Sequence, residues 1–237
     1  MASTDIDLDK TDYIKAFMPE RPVDFGRAVL VVIDMQYATG HRTGALSRRL
    51  QAEGKSDLVA YRFGRIHDYV IPNTQRLLAG FRSRGGRVLY IKVGAQLADA
   101  SDAPIHMQKL FREMKNVKGS RENEIVEELA SLPGEAILDK TTNGAFASCG
   151  IDSLLRAWSR DQLYMVGVST NMCVESTGRE AADRGYAVTL IEDACGTTQK
   201  ALHEGCMVNF QRLFGRVRST EQVMTELGLA TVRQAAE

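Results

Sequence analysis

The sequence has no apolar run approaching the ~20 residues that a membrane-spanning helix needs; its longest apolar stretches are strand-sized. It has no excess of either charge, since 30 Lys and Arg stand against 30 Asp and Glu. No net basic field therefore draws it to nucleic acid or to an anionic membrane, although a local basic patch is compatible with that balance. It has no CxxC pair among Cys149, Cys173, Cys195 and Cys206, and the chain is too long to need disulfide staples. Free thiols in a reducing cytoplasm fit best. One of them is then available for chemistry, though unpaired cysteines more often fill cores. The opening MASTDIDLDKTDYIK is acidic and polar, unlike a secretory signal, and reads as an arm over residues 1–25. Repeats, low-complexity tracts and convincing linkers are also missing. One domain over residues 26–237 is the simplest organisation.

What is present is alternation. Apolar β-branched runs at Ala28–Asp34, Arg87–Val93, Ala136–Asp139, Leu163–Val168 and Ala187–Ile191 read as strands, with a short sixth at Arg216–Arg218. Helix-length stretches lie between them. Val70, Ile71, Leu77, Leu78 and Phe81 fall near helical spacing, with a stop at Gly85–Gly86. Met107, Leu110, Phe111 and Met114 make a second face, and Leu154 and Leu155 point inward from a third helix. A helix runs from about Cys173 to Arg184, with Gly185 at its C-cap. Leu202, Cys206, Phe210 and Leu213 form the stripe of another, and Ser219 with Gln222 resembles a capping box. Strands alternating with helices predict an α/β fold: a three-layer αβα, doubly wound, mostly parallel six-stranded sheet of Rossmann-like type. Residues 36–69 are polar and glycine-containing, and read as a long loop with a short helix near Leu46–Gln51.

In such a sheet, ligands bind beyond the carboxyl ends of the strands. Asp34 closes the first strand, Lys140 follows the third, and Cys173 comes soon after the fourth, where a helix begins. Alone, each has an ordinary explanation: a cap or ion-pair partner, a solvated lysine, a buried filler. Together on one edge they suggest a nucleophile, a base and a cation. A helix start and an ammonium both favour a thiolate. Asp34 suits the transfer of the thiol proton to a leaving nitrogen. Backbone N–H groups in the Ser169–Cys173 turn point where an oxyanion would develop.

Three stretches, VVIDMQ, ILDKTTNGAF and GVSTNMCVESTGREAADRGYAVTLIEDACGTT, resemble the isochorismatase-like cysteine hydrolases, among them nicotinamidases, N-carbamoylsarcosine amidases, ureidoacrylate amidases and biuret hydrolases. The resemblance spans about Ala28 to Gly228. It implies an Asp34–Lys140–Cys173 triad and a non-proline cis peptide at Val168–Ser169. It also implies an oxyanion hole from the N–H groups of Ser169 and Cys173, and a covalent thioester or its carbamoyl counterpart, with ammonia leaving. Nicotinamidases carry an Asp-and-His metal cluster. Here the matching regions, YATGHRTGAL and VGAQLADASDAPIHM, leave His41 and His106 isolated. No metal, no cofactor and no pyridine carboxamide substrate are expected.

The stretch HEGCMVNFQRLFG resembles the biuret-hydrolase type, in which a glutamine contacts the ureide; Gln211 would hold that place, or be a surface glutamine. Phe146 matches a pocket-lining aromatic or packs in the core. Asn143 lies in the turn after Lys140, where an amide could be bonded. Tyr37, His41 and Arg42 could line the mouth or meet a carboxylate. Gln36 orients Asp34 or ties down its loop. The implied activity is hydrolysis of a linear amide or ureide, biuret-like or N-carbamoyl. The alternatives are vinyl-ether hydrolysis, which needs no thiol, and a non-catalytic binding protein on the same fold. A homodimer or homotetramer is implied, with no nucleic-acid or membrane partner.

Overall fold

β1 (Ala28–Ile33) reads AVLVVI, and all six residues are buried, so both faces of the strand are covered. A parallel sheet between two helical layers requires this of its central strands. A computed structural model describes residues 13–19 and 21–229. The remaining strands are β2 (Arg87–Val93), β3 (Ala136–Lys140), β4 (Gln162–Val168), β5 (Ala187–Gly196) and β6 (Arg216–Arg218). They form one sheet in the order β3-β2-β1-β4-β5-β6, and every pairing is parallel. The sheet is therefore wholly parallel, where the sequence suggested mostly so.

The helices are α1 (Tyr37–Gly40), α2 (Ala45–Ala52), α3 (Ala60–Arg65), α4 (Ile71–Ser83), α5 (Ile105–Glu113), α6 (Ile151–Ala157), α7 (Glu175–Asp183), α8 (Lys200–Leu213) and α9 (Thr220–Glu226). Alternation along β1 divides them into two layers. Ala28, Leu30 and Val32 pack with Phe63, Leu77, Leu78 and Phe81 of α3 and α4 and with Val223 and Met224 of α9. Val29, Val31 and Ile33 pack with Ile151 and Leu155 of α6, Ala181 of α7, and Met207 and Phe210 of α8. Local stop and start signals hold: Gly185 follows the α7 cap residue Arg184 at φ +87°, and Ser219 and Gln222 form a reciprocal capping box on α9.

Residues 36–69 are not a long loop. α1 and α2 occupy the first half, and α3 continues through a π-helical turn, Ile66–Val70, into α4. Val59, Phe63, Ile66 and Val70 are buried at helical spacing. The stripe was masked in sequence by the interleaved Arg62, Arg65, His67 and Asp68. Two smaller differences follow from packing. β5 runs on to Gly196, past Ile191, through a register shift opposite Met165–Gly167 of β4. Leu110 is exposed because α5 covers a small cluster around Ala95, Ala100 and Ala103 rather than the sheet. Residues 1–12 and 20 of the expected arm, and 230–237 of the expected domain, lie outside the described residues. Tyr13–Phe17 forms a 3-10 turn that lies against α8. Among the described residues no helix is long and apolar enough to cross a membrane.

β1 and β4 are neighbours at the centre, and the chain leaves them in opposite directions. Their carboxyl ends flank the crevice where this topology binds ligands.

Candidate active site

Asp34 is the first residue beyond β1 and takes the left-handed conformation, φ +53°, which Asp tolerates better than most residues. Its N–H donates to the Ile91 carbonyl at 2.9 Å, and its own carbonyl accepts from Gln36 N at 2.8 Å. The chain thus turns sharply at the sheet edge. Gln36, fully buried, holds that turn: Oε1 accepts from Val93 N at 2.9 Å, and Nε2 donates to the carbonyls of Val93 and Asn123, each at 3.0 Å. Of the two roles open to Gln36, the contacts are those of the tie.

Lys140, the last residue of β3, reaches past β2 into this turn. Its Nζ donates to Asp34 Oδ2 at 2.9 Å and to the Thr142 carbonyl at 2.9 Å, with no exposed surface. The other carboxylate oxygen, Asp34 Oδ1, is buried with no hydrogen-bond partner of ordinary length among the described residues, while the Cys173 thiol and the Val93 N–H both act on the carboxylate. Cys173 is 7% exposed, and its charge state is felt by both Asp34 and Lys140. Its Sγ–H contacts Asn143 Oδ1 at 3.7 Å. The three groups that the sequence put on one edge are therefore one cluster.

Burial raises the Asp34 pKa, outweighing the opposing charge of Lys140. Burial also works against the Lys140 ammonium, but Asp34 and Cys173 outweigh it and hold the proton on. Cys173 is pushed up to about 12, first by burial and then by the charge of Asp34, against Lys140. Burial and the Asp34 charge favour the neutral thiol at rest, against Lys140, where the sequence offered only the helix start and the ammonium, which favour the thiolate; Cys173 sits in a single π-helical turn, Thr170–Val174, ahead of α7. A thiol beside a carboxylate of raised basicity, with one carboxylate oxygen free of ordinary-length hydrogen bonds among the described residues, is arranged for proton transfer during attack rather than before it.

The turn after β4 is fixed from three sides. The Val168–Ser169 peptide is cis. Arg62 Nη1 donates to Ser169 Oγ at 2.8 Å, and Thr197 Oγ1 donates to Asn171 Oδ1 at 2.6 Å. Thr170 Oγ1 lies 2.9 Å from His203 Nδ1, and His203 Nε2 lies 2.8 Å from Arg65 Nη2. Gly167, at φ +120°, lets β4 approach β1: an added Cβ would meet the Ile33 carbonyl oxygen at 2.0 Å.

The other candidates divide. Asn143 is brought to the sulfur by its loop, which α7 holds: Ala145 N donates to Thr177 Oγ1 and Phe146 N to Glu180 Oε2. His106 Nε2 lies 3.5 Å from Asn143 Nδ2. The Phe146 ring packs on Tyr186, with the Arg184 guanidinium over it. Tyr37 stacks edge-on with His41 under Arg121, and its hydroxyl accepts from Glu127 N. His41 bonds Thr43 and Glu128, and Arg42 is exposed. Gln211 is not brought to the cluster. It lies on the last turn of α8, which leads to the amino end of β6, so it sits at the opposite edge of the sheet. There it lines a cavity of about 650 Å³ with Phe17, Tyr186 and Arg216. Among the described residues no group of three or more His, Cys, Asp or Glu is arranged to hold a metal ion. Arg62, His203 and Thr197 were missed in sequence. An arginine inside a masked apolar stripe was the available signal for Arg62; Thr197 and His203 lie in the stretches GVSTNMCVESTGREAADRGYAVTLIEDACGTT and HEGCMVNFQRLFG without being singled out there.

Over residues 28–222 the chain matches the profile of the family described as Isochorismatase domain. It is 26% identical over 225 residues to the ureidoacrylate amidohydrolase RutB of Pantoea ananatis, covering 89% of this chain and 86% of that protein. It is similar to a solved isochorismatase family protein from Desulfovibrio vulgaris at 27% identity and a TM-score of 0.70, covering 84% of this chain and 97% of that one. A cysteine hydrolase from Pseudomonas syringae shares the fold, with a TM-score of 0.72 at 22% identity, over 87% of this chain and 95% of that one.

Proposed function

The chain belongs to the isochorismatase family of hydrolases, and from that premise we propose that it is a cysteine-dependent amidohydrolase releasing ammonia from a linear amide or ureide. The observation that carries the proposal is the buried cluster of the Cys173 thiol, Lys140, and an Asp34 carboxylate with one oxygen free of ordinary-length hydrogen bonds among the described residues. The curated relative named for ureidoacrylate hydrolysis supports a ureide or N-carbamoyl substrate. With Gln211 at the far edge, the biuret-type contact lends this no support.

Asp34 Oδ1 takes the thiol proton as Sγ bonds to the substrate carbonyl carbon. The N–H groups of Ser169 and Cys173 receive the oxyanion, each such donor being worth roughly 3–4 kcal/mol. Lys140 stays charged throughout, so proton transfer never leaves an uncompensated carboxylate in the cluster. The carbon–nitrogen bond breaks, and Asp34 returns the proton to the departing ammonia. Water then attacks the thioester or thiocarbamate, giving its proton to Asp34 while the acid or carbamic acid leaves and the thiol re-forms.

Ammonia release is to be screened over amides, ureides and carbamoyl amino acids, with intact mass followed for an adduct on Cys173. Cys173→Ala abolishes release and adduct; unchanged turnover in that variant would refute the covalent route. We further propose that the active assembly is a homodimer or homotetramer. Ile105, 86% exposed, and the neighbouring exposed Leu97 and Leu110 support an apolar contact beside the site. Light scattering on the eluting protein tests it.

A further inference from the structure

The cavity of about 650 Å³ lies far from Cys173. Gln162, Ala187 and Arg216, the first residues of β4, β5 and β6, all line it, so it opens at the amino ends of these strands. The length of β4 separates it from the Ser169 turn by roughly 20 Å. Its volume falls within the range of small-molecule sites. Its walls carry charge of one sign. Arg21, Arg216 and Arg218 line it, and among the described residues no Asp or Glu does. Glu226 stands behind them, accepting from Arg216 Nη2 at 2.9 Å and Nη1 at 3.1 Å, and lying 3.8 Å from Arg218 Nε. Two guanidiniums thus share one carboxylate, and Arg21 Nη1 donates to the neutral Gly185 carbonyl at 2.9 Å. Arg216 Nη2 also donates to Thr189 Oγ1 at 3.0 Å, which holds its fork rigid. The same walls turn apolar surface to solvent. Phe17 is 80% exposed and Leu213 52%, and both line the cavity. Among the described residues no cysteine, serine, histidine or lysine lines it either, so its walls are suited to binding rather than to chemistry.

We propose that this cavity is a second ligand site, separate from the candidate active site, and that it takes a small organic anion with an apolar or aromatic body. The acid group meets Arg21 and Arg218, whose charges Glu226 leaves in surplus, and the body covers Phe17 and Leu213. Arg216, held bidentate by Glu226, adds to the positive field without having to leave its carboxylate. A neutral apolar molecule would cover the rings but leave the guanidiniums without a partner; an inorganic anion would do the reverse. The ligand is bound and released unchanged. The assignment holds whatever reaction Cys173 performs. A subunit contact around Ile105 leaves the cavity open, because α5 follows the carboxyl end of β2.

The test uses 8-anilinonaphthalene-1-sulfonate, an aromatic anion that fluoresces once removed from water. It is set against N-phenyl-1-naphthylamine, the same ring system without the sulfonate. On the folded native protein the sulfonate should bind saturably, one per chain, and about tenfold or more tighter than the neutral amine, as hydrogen bonds to charged groups allow. Arg21→Gln/Arg218→Gln should lose that preference while keeping the native melting curve. If the double variant melts early, Arg21→Gln alone, at an exposed position, carries the comparison and should lose part of the preference. Ala182→Trp, which puts an indole into the lining, should weaken both probes. Cys173→Ala should bind both as the native protein does, which separates this site from the nucleophile's. Equal affinity of the native protein for the two probes would overturn the proposal. So would a preference unchanged without the arginines, full binding in Ala182→Trp, or binding lost in Cys173→Ala.

Discussion

Replacing Lys140 by Met removes the only cation bonded to Asp34 among the described residues and leaves a carboxyl group with essentially no solvent contact. Breaking a buried pair from one side costs about 3–5 kcal/mol, because the surviving charge is stranded. Asp34 has an escape, which is to take up a proton. A carboxyl that ionises near 3.9 when unfolded but stays neutral when folded costs about 1.4 kcal/mol for each pH unit above that value. Neutralisation therefore caps the cost at roughly 4 kcal/mol at pH 7 and roughly 1.5 kcal/mol at pH 5. The sign follows from the raised folded pKa: the penalty is full at high pH and is relieved as pH falls toward the unfolded value. Guanidinium chloride unfolding, followed by circular dichroism at both pH values, reads the difference directly. In Asp34→Asn/Lys140→Met no charge is stranded, so its loss should be smaller than the sum of the two single losses by about 1–3 kcal/mol. A Lys140→Met loss equal at pH 5 and pH 7, or additive single losses, would refute the idea that the two groups are held as a charged pair.

Asp34→Asn separates the thiol's acidity from its usefulness. It removes a charge that raises the Cys173 pKa and keeps Lys140, so iodoacetamide should label Cys173 faster at pH 8, while ammonia release falls by a factor of about 10²–10⁴ with the loss of the base. Slower labelling would show that Asp34 does not hold the thiol protonated. Gly167→Ala should lower the melting temperature sharply or prevent soluble expression, since its Cβ would meet the Ile33 carbonyl oxygen at 2.0 Å and its φ is positive; a native melting curve would show that β4 can retreat from β1. Gln211→Ala should leave kcat and KM on the identified substrate within about twofold, as expected of a surface change away from the site; a tenfold rise in KM would bring Gln211 back to the substrate.

The cluster was legible because strand polarity converts a one-dimensional order into an edge. Asp34, Lys140 and Cys173 each end, or closely follow, a strand of a parallel sheet, so they had to share a side of it. Asn143 was legible for the same reason, three residues past Lys140. Gln211 shows where such reasoning stops. It was placed by a helix stretch alone, and a 14-residue helix carries its last turn back to the opposite edge. Arg62 and His203 escaped notice because helices spanning 60–83 and 200–213 bring them to the site from the flanks, and nothing in their local sequence says which turn meets the carboxyl edge.

The sequence by itself determined the alternation of strands and helices, the capping of α7 and α9, and the side of the sheet on which the reactive groups lie, because these depend on neighbours a few residues apart. Tertiary structure alone decided the burial of Cys173 beside Asp34 and Lys140, the packing of the buried Arg62 guanidinium against Ser169 and the contact of His203 with Thr170. Those are fixed by burial and by charges 30 to 140 residues distant, and the cost of removing a group from water has no counterpart in linear order.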